Sequence, residues 1–64
     1  MKRRAFERWL AEHDCVLDRE GARHSWFKNS ALQRRSAVPR HNEIKDELVR
    51  KICRDLGIDA PGHT

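Results

Sequence analysis

A chain of 64 residues has room for one domain and no second folded unit, and its apolar surface barely supplies one core, so marginal stability is expected. Fourteen Lys and Arg stand against ten Asp and Glu, a formal charge of +4 with a pI of about 9.7. Two distant cysteines without a CxxC pair argue against a zinc finger or a disulfide scaffold, and no apolar run reaches the length of a leader or a membrane span. Cys15 and Cys53 are read as reduced core thiols of a cytoplasmic protein.

Residues 2–13 are predicted to form a helix, because Phe6, Trp9, Leu10 and His13 recur at helical spacing and Ala5 widens the stripe. Arg4, Glu7, Arg8 and Glu12 make the solvated face. Asp14 breaks the pattern, Cys15 to Glu20 reads as a strand, and Gly21 turns the chain. In the second strand, 24–28, alternation puts His24, Trp26 and Lys28 on one face and Ser25 and Phe27 on the other, with Phe27 in the core. Asn29 and Ser30 open a turn, and a third strand, 35–38, ends at Pro39.

Beyond Pro39 the period changes. Ile44, Leu48, Ile52 and Leu56 are spaced by four, with Val49 and Cys53 beside them, and predict an amphipathic helix. Asn42 is the expected N-cap, Glu43 and Asp46 suit the positive end of the dipole, and Lys51 and Arg54 the negative end. Gly57 supplies a left-handed stop from which Ile58 folds back. The expected architecture is α+β, in the order α-β-β-β-α, with two helices on one face of a three-stranded antiparallel sheet. Residues 1–58 make the domain and 59–64 a flexible tail.

The positive charge is unevenly spread. Residues 1–41 hold ten Lys/Arg and five Asp/Glu, whereas 42–64 hold four and five. From Gly21 to His41 there are five basic residues, two histidines and no acid, which suggests that a polyanion, above all nucleic acid, faces this stretch. Arg23, Lys28, Arg34, Arg35 and Arg40 are the candidate phosphate contacts.

Most enzyme classes lack their signatures here: there is no GxSxG elbow, P-loop or dinucleotide glycine pattern, and no spacing of His, Cys or Asp suited to a metal. No cofactor is expected. One imidazole among cations suits RNA cleavage by its own 2′-OH: neutral imidazole takes the hydroxyl proton, imidazolium protonates the leaving oxygen, and cations stabilise the phosphorane. His24, beside Arg23 and near Lys28, is the candidate, against the plainer reading of an exposed polar strand residue. His13 suits a helix C-terminus, His63 lies in the tail, and His41 is either an auxiliary RNA contact or part of a solvated loop.

The ordered set of a basic N-terminal helix, Gly21, His24 and Phe27, then Val38-Pro39, then Leu56-Gly57-Ile58 resembles the HicA toxins of bacterial HicA–HicB toxin-antitoxin pairs over nearly the whole chain. The resemblance implies a fold like the double-stranded-RNA-binding domain and a ribosome-independent mRNA interferase with His24 as the catalytic residue. It also implies a HicB-type antitoxin that masks the active site. Where many members carry Ser or Gly before the histidine, this chain has Arg23. The alternatives are a non-catalytic RNA-binding module of the same fold and, less compatible with polar strands between the helices, a DNA-binding helix-turn-helix.

Overall fold

The computed structural model describes residues 1–62. Helix α1 (Arg3–Glu12) leads into strands β1 (Cys15–Glu20), β2 (His24–Asn29) and β3 (Arg34–Pro39), and helix α2 (Asp46–Leu56) closes the order α-β-β-β-α. The strands form one antiparallel sheet in sequence order, and both helices cover one face of it, the layout of the double-stranded-RNA-binding domain.

The core lies between helices and sheet. Phe6 and Leu10 come from α1, Cys15, Phe27 and Val38 from the strands, Ile44 from the loop, and Val49, Ile52, Cys53 and Leu56 from α2. Both thiols are free and buried, and burial pushes Cys53 up to about 11 and also raises Cys15. Ala5, expected to widen the apolar stripe, is exposed, so the buried face of α1 is narrower than its sequence pattern. Trp9 and His13 cover the stripe's edge, their rings stacked with centroids 4.2 Å apart.

Polar side chains on the inner face of the sheet make contacts that tie the layers together, although Asn29 Oδ1 is buried without a partner among the described residues. Asn29 Nδ2 donates to the carbonyl of Leu56 at 2.9 Å, Ser36 Oγ donates to Asp55 at 3.4 Å, and Ser25 Oγ accepts from Arg3 at 3.4 Å. Asn29 therefore extends β2 instead of opening a turn, because its amide answers a helix-end carbonyl that would otherwise be orphaned. The turn follows at 30–33, where Gln33 takes a left-handed φ of 57°.

Helix α2 ends as its sequence predicts. Gly57 is left-handed at φ 76°, its N–H reaches the Arg54 carbonyl at 3.1 Å, and the Ile58 N–H reaches Cys53 at 2.9 Å, the double bond of a Schellman stop. A Cβ at Gly57 would also come within 2.6 Å of Leu32 Cδ1. The start differs from expectation. The helix opens at Asp46 after Lys45, not at Asn42, because 42–44 is used as an extended segment against the N-terminus. Arg3 N–H donates to Asn42 O at 2.9 Å, Lys2 pairs with Glu43, and Ile44 N–H donates to Met1 O at 2.8 Å. Glu43 accordingly serves the Met1 ammonium and Lys2, and Asp46 and Glu47 fill the first helical turn.

In the tail, Trp9 Nε1 donates to Asp59 O at 2.8 Å and Ala60 packs against the core. His63 lies outside the described residues.

Candidate functional site

His24 is the first residue of β2, exposed, and opposite Pro39 of β3. Alternation turns it to the sheet face that no helix covers, with Trp26 and Lys28 further along the same face. Trp26 faces Ala37 across one neighbour and Arg19 across the other. Lys28 faces Arg35, and both reach the carboxylate of Asp18, at 3.6 and 3.5 Å. Asp18 gets there through a bulge: Leu17 pairs with Phe27 and Arg19 with Trp26, which leaves Asp18 as the extra residue of β1.

The stretch from Gly21 to His41 is acid-free in sequence but not in space, because antiparallel pairing lays β1, with Asp18 and Glu20, beside it. Two cations share Asp18, so that cluster keeps a net positive charge. Arg40 is more fully committed. Its Nε and Nη2 donate to Glu20 Oε1 at 3.2 and 3.0 Å, its Nη1 to Ala22 O at 3.2 Å, and its Nη2 also meets the carbonyls of His24, at 3.3 Å, and Gly21. Arg34 Nη1 donates to the Arg54 carbonyl at 3.3 Å near the end of α2. Arg23 is exposed beside His24 and has no acidic partner among the described residues.

The cations predicted from sequence thus fall into two groups. Arg23 and Arg40 stand at the His24 end of β2. Lys28 and Arg35 pair four residues along, roughly 13 Å away at strand rise, and Arg34 lies one residue further.

On the helix-covered side of the sheet the structure adds cations that the acid-free stretch did not contain. A groove at the start of α1 is lined by Lys2, Arg3, Arg4, Arg8 and Asn42, and also by the acid Glu7. Arg3 forms an ion pair with Glu7 at 2.8 Å and also reaches Ser25, the neighbour of His24. Arg4 and Arg8 are exposed without an acidic partner among the described residues. The available signal was the run Lys2-Arg3-Arg4 in a first turn with no acid, where positive charge opposes the helix dipole.

Gly21 does not act through a special backbone angle. It permits close approach: a Cβ there would lie 3.1 Å from His24 O and 3.3 Å from Trp26 Nε1. Its N–H donates to that same His24 carbonyl at 2.8 Å, closing the turn.

The Glu20 carboxyl is held below its ordinary value of 4.5, first by the hydrogen bond from Ser25 (2.7 Å) and then by Arg40, with a smaller contribution from Arg3. A carboxyl lowered on folding stabilises the fold above its ordinary value and loses that contribution as pH falls through the lowered value. Thermal melts of the parent and Glu20→Gln should therefore differ at neutral pH and converge well below pH 4.5. A difference that grows on acidification would contradict this pairing.

Among the described residues, no three His, Cys, Asp or Glu side chains converge as metal ligands, and no helix is long and apolar enough to cross a membrane. The family model for the HicA toxin of bacterial toxin-antitoxin matches residues 3–58, from the first residue of α1 to the residue that closes the Schellman stop. No curated protein and no solved structure matches.

Proposed function

The chain belongs to the HicA toxin family of bacterial toxin-antitoxin systems, and from that premise we propose that it is an endoribonuclease that cleaves mRNA with His24 as its catalytic residue. The observation that carries this reading is the position of His24: exposed on the open sheet face, with its carbonyl tied down by Gly21 and Arg40 and with Arg23 free beside it.

The reaction is a transesterification. Neutral imidazole at His24 takes the proton of a ribose 2′-OH, the oxygen attacks the adjacent phosphorus, and the bond to the 5′-oxygen breaks as the imidazolium so formed gives that proton to it, leaving a 2′,3′-cyclic phosphate and a free 5′-hydroxyl. Arg23, next to His24 in the chain, stabilises the charge of the phosphorane. Trp26, half-exposed on the same face, offers a flat surface on which a neighbouring base stacks. The RNA backbone is held along the open face by Lys28 and Arg35, with Arg34 at the end of the same hairpin. An antitoxin of HicB type covers this open face in the cytoplasm and keeps the toxin inactive.

The test uses purified protein, a short RNA and the same oligomer with 2′-deoxyribose throughout. Only the RNA should be cut, fragments should end in a cyclic phosphate, and a chelator should leave the rate unchanged. Salt-sensitive binding with no fragments after hours would replace this reading with a non-catalytic RNA-binding module. Cleavage of the deoxy oligomer would exclude the 2′-OH as nucleophile.

A further inference from the structure

We infer that Arg40 is a positioning residue for His24: anchored by Glu20, its guanidinium gathers the carbonyls of the turn before β2 and fixes the point at which that strand begins. The inference rests on the catalytic reading of His24. Sequence alone places Arg40 among the phosphate contacts, as one more cation in a basic stretch.

The geometry assigns it other work. An arginine carries five N–H donors in a rigid fork, and here all three of its nitrogens are engaged with Glu20, Gly21, Ala22 and His24. A phosphate would have to displace a carboxylate that already neutralises it. The turn itself has one backbone hydrogen bond, from Gly21 N–H to His24 O, and leaves the Gly21 and Ala22 carbonyls for Arg40 to satisfy. Arg40 follows Pro39, the register partner of His24, so the guanidinium reaches from the end of β3 to the β1–β2 turn and binds three strands together at one corner. Glu20 accepts from Ser25 as well, which ties the corner to the residue on the other side of His24.

A positioning residue acts on the reacting step and not on affinity. Misplacing a catalytic group by about 1 Å costs up to about 10²-fold in rate. Arg40→Gln should lower kcat for a short RNA by about tenfold to a hundredfold with KM unchanged. Binding of a non-cleavable 2′-O-methyl RNA should keep its salt dependence. Arg40→Lys should fail to restore the rate, because an ammonium cannot hold the carboxylate and the carbonyls together. Hydrogen exchange at the Gly21 amide should accelerate while the Val49 and Ile52 amides of α2 keep their protection.

A log–log salt slope shallower by about 0.7 with kcat retained would make Arg40 a phosphate contact and overturn the inference. So would parental exchange at Gly21, or loss of protection throughout α2, which would mean a general structural role. If the parent protein cuts no RNA, the nuclease reading fails by itself. The exchange at Gly21 and the His24 ring resonances then still report whether Arg40 holds this corner.

Discussion

His24→Ala should lower the rate of RNA cleavage by about 10²- to 10⁴-fold while leaving the thermal midpoint within a degree or two of the parent. The first figure is what a positioned acid–base group contributes, equivalent to about 3–5 kcal/mol of barrier. The second follows from the surroundings: His24 is exposed and pairs with Pro39 through the sheet register, so truncation opens no cavity, and such surface changes usually stay within about 0.5 kcal/mol. Single-turnover cleavage and a melt on the same preparation separate the two effects. His24→Gln, which keeps a polar group but cannot titrate, should be as slow as alanine. In cells lacking an antitoxin, induction of the parent should arrest growth and fragment mRNA, and induction of either variant should not. Cleavage by His24→Ala at the parental rate would remove His24 from the mechanism.

The fold was readable wherever the determining chemistry is local. Four-residue spacing of Ile44, Leu48, Ile52 and Leu56 gives one apolar face whatever the rest of the chain does, and Gly57-Ile58 encodes its own stop. The misplaced boundaries have distant causes. Asn42 has the right side chain for an N-cap, but its carbonyl is taken by Arg3, 39 residues earlier in the chain. Asn29 has the right chemistry for a turn, yet its amide is satisfied by Leu56, 27 residues away. Side-chain preference proposes a cap or a turn; a distant partner decides.

The site divides in the same way. Alternation along β2 was enough to send His24 outward and Phe27 inward, since a half-buried strand permits little else. Charge was harder to read. An acid-free stretch is a one-dimensional observation, and the hairpin brings Glu20 to Arg40, while a bulge with no sequence signal brings Asp18 to Lys28 and Arg35. Conversely, the cations of α1 lie 16 or more residues before His24 in the chain but reach its neighbour through Arg3 and Ser25.

The largest stability effect should come from Phe6→Ala. Phe6 is fully buried, on the narrow inward stripe of α1, and together with Leu10 it makes up that helix's contribution to the buried core. Removing a buried phenyl ring costs about 3–5 kcal/mol, the lost transfer energy plus the cavity left behind. Against that, a 64-residue domain at ordinary stability per residue has about 3–10 kcal/mol in total. The variant should therefore range from largely unfolded to folded with a much reduced margin, with a thermal midpoint lowered by at least about 12 °C, since each kcal/mol moves a domain of this size by about 4–8 °C. Helix α1 itself should not survive alone, because ten residues are below the length at which an isolated helix is stable in water. Phe6→Leu, which keeps most of the apolar volume, should lose clearly less and retain cleavage. A Phe6→Ala midpoint within about 5 °C of the parent would mean that neighbouring side chains close over the space, so that α1 is held mainly by the pairing of residues 1–3 with 42–44. Asn42 and Ile44, not the phenyl ring, would then be what holds the basic groove at the start of α1 in place.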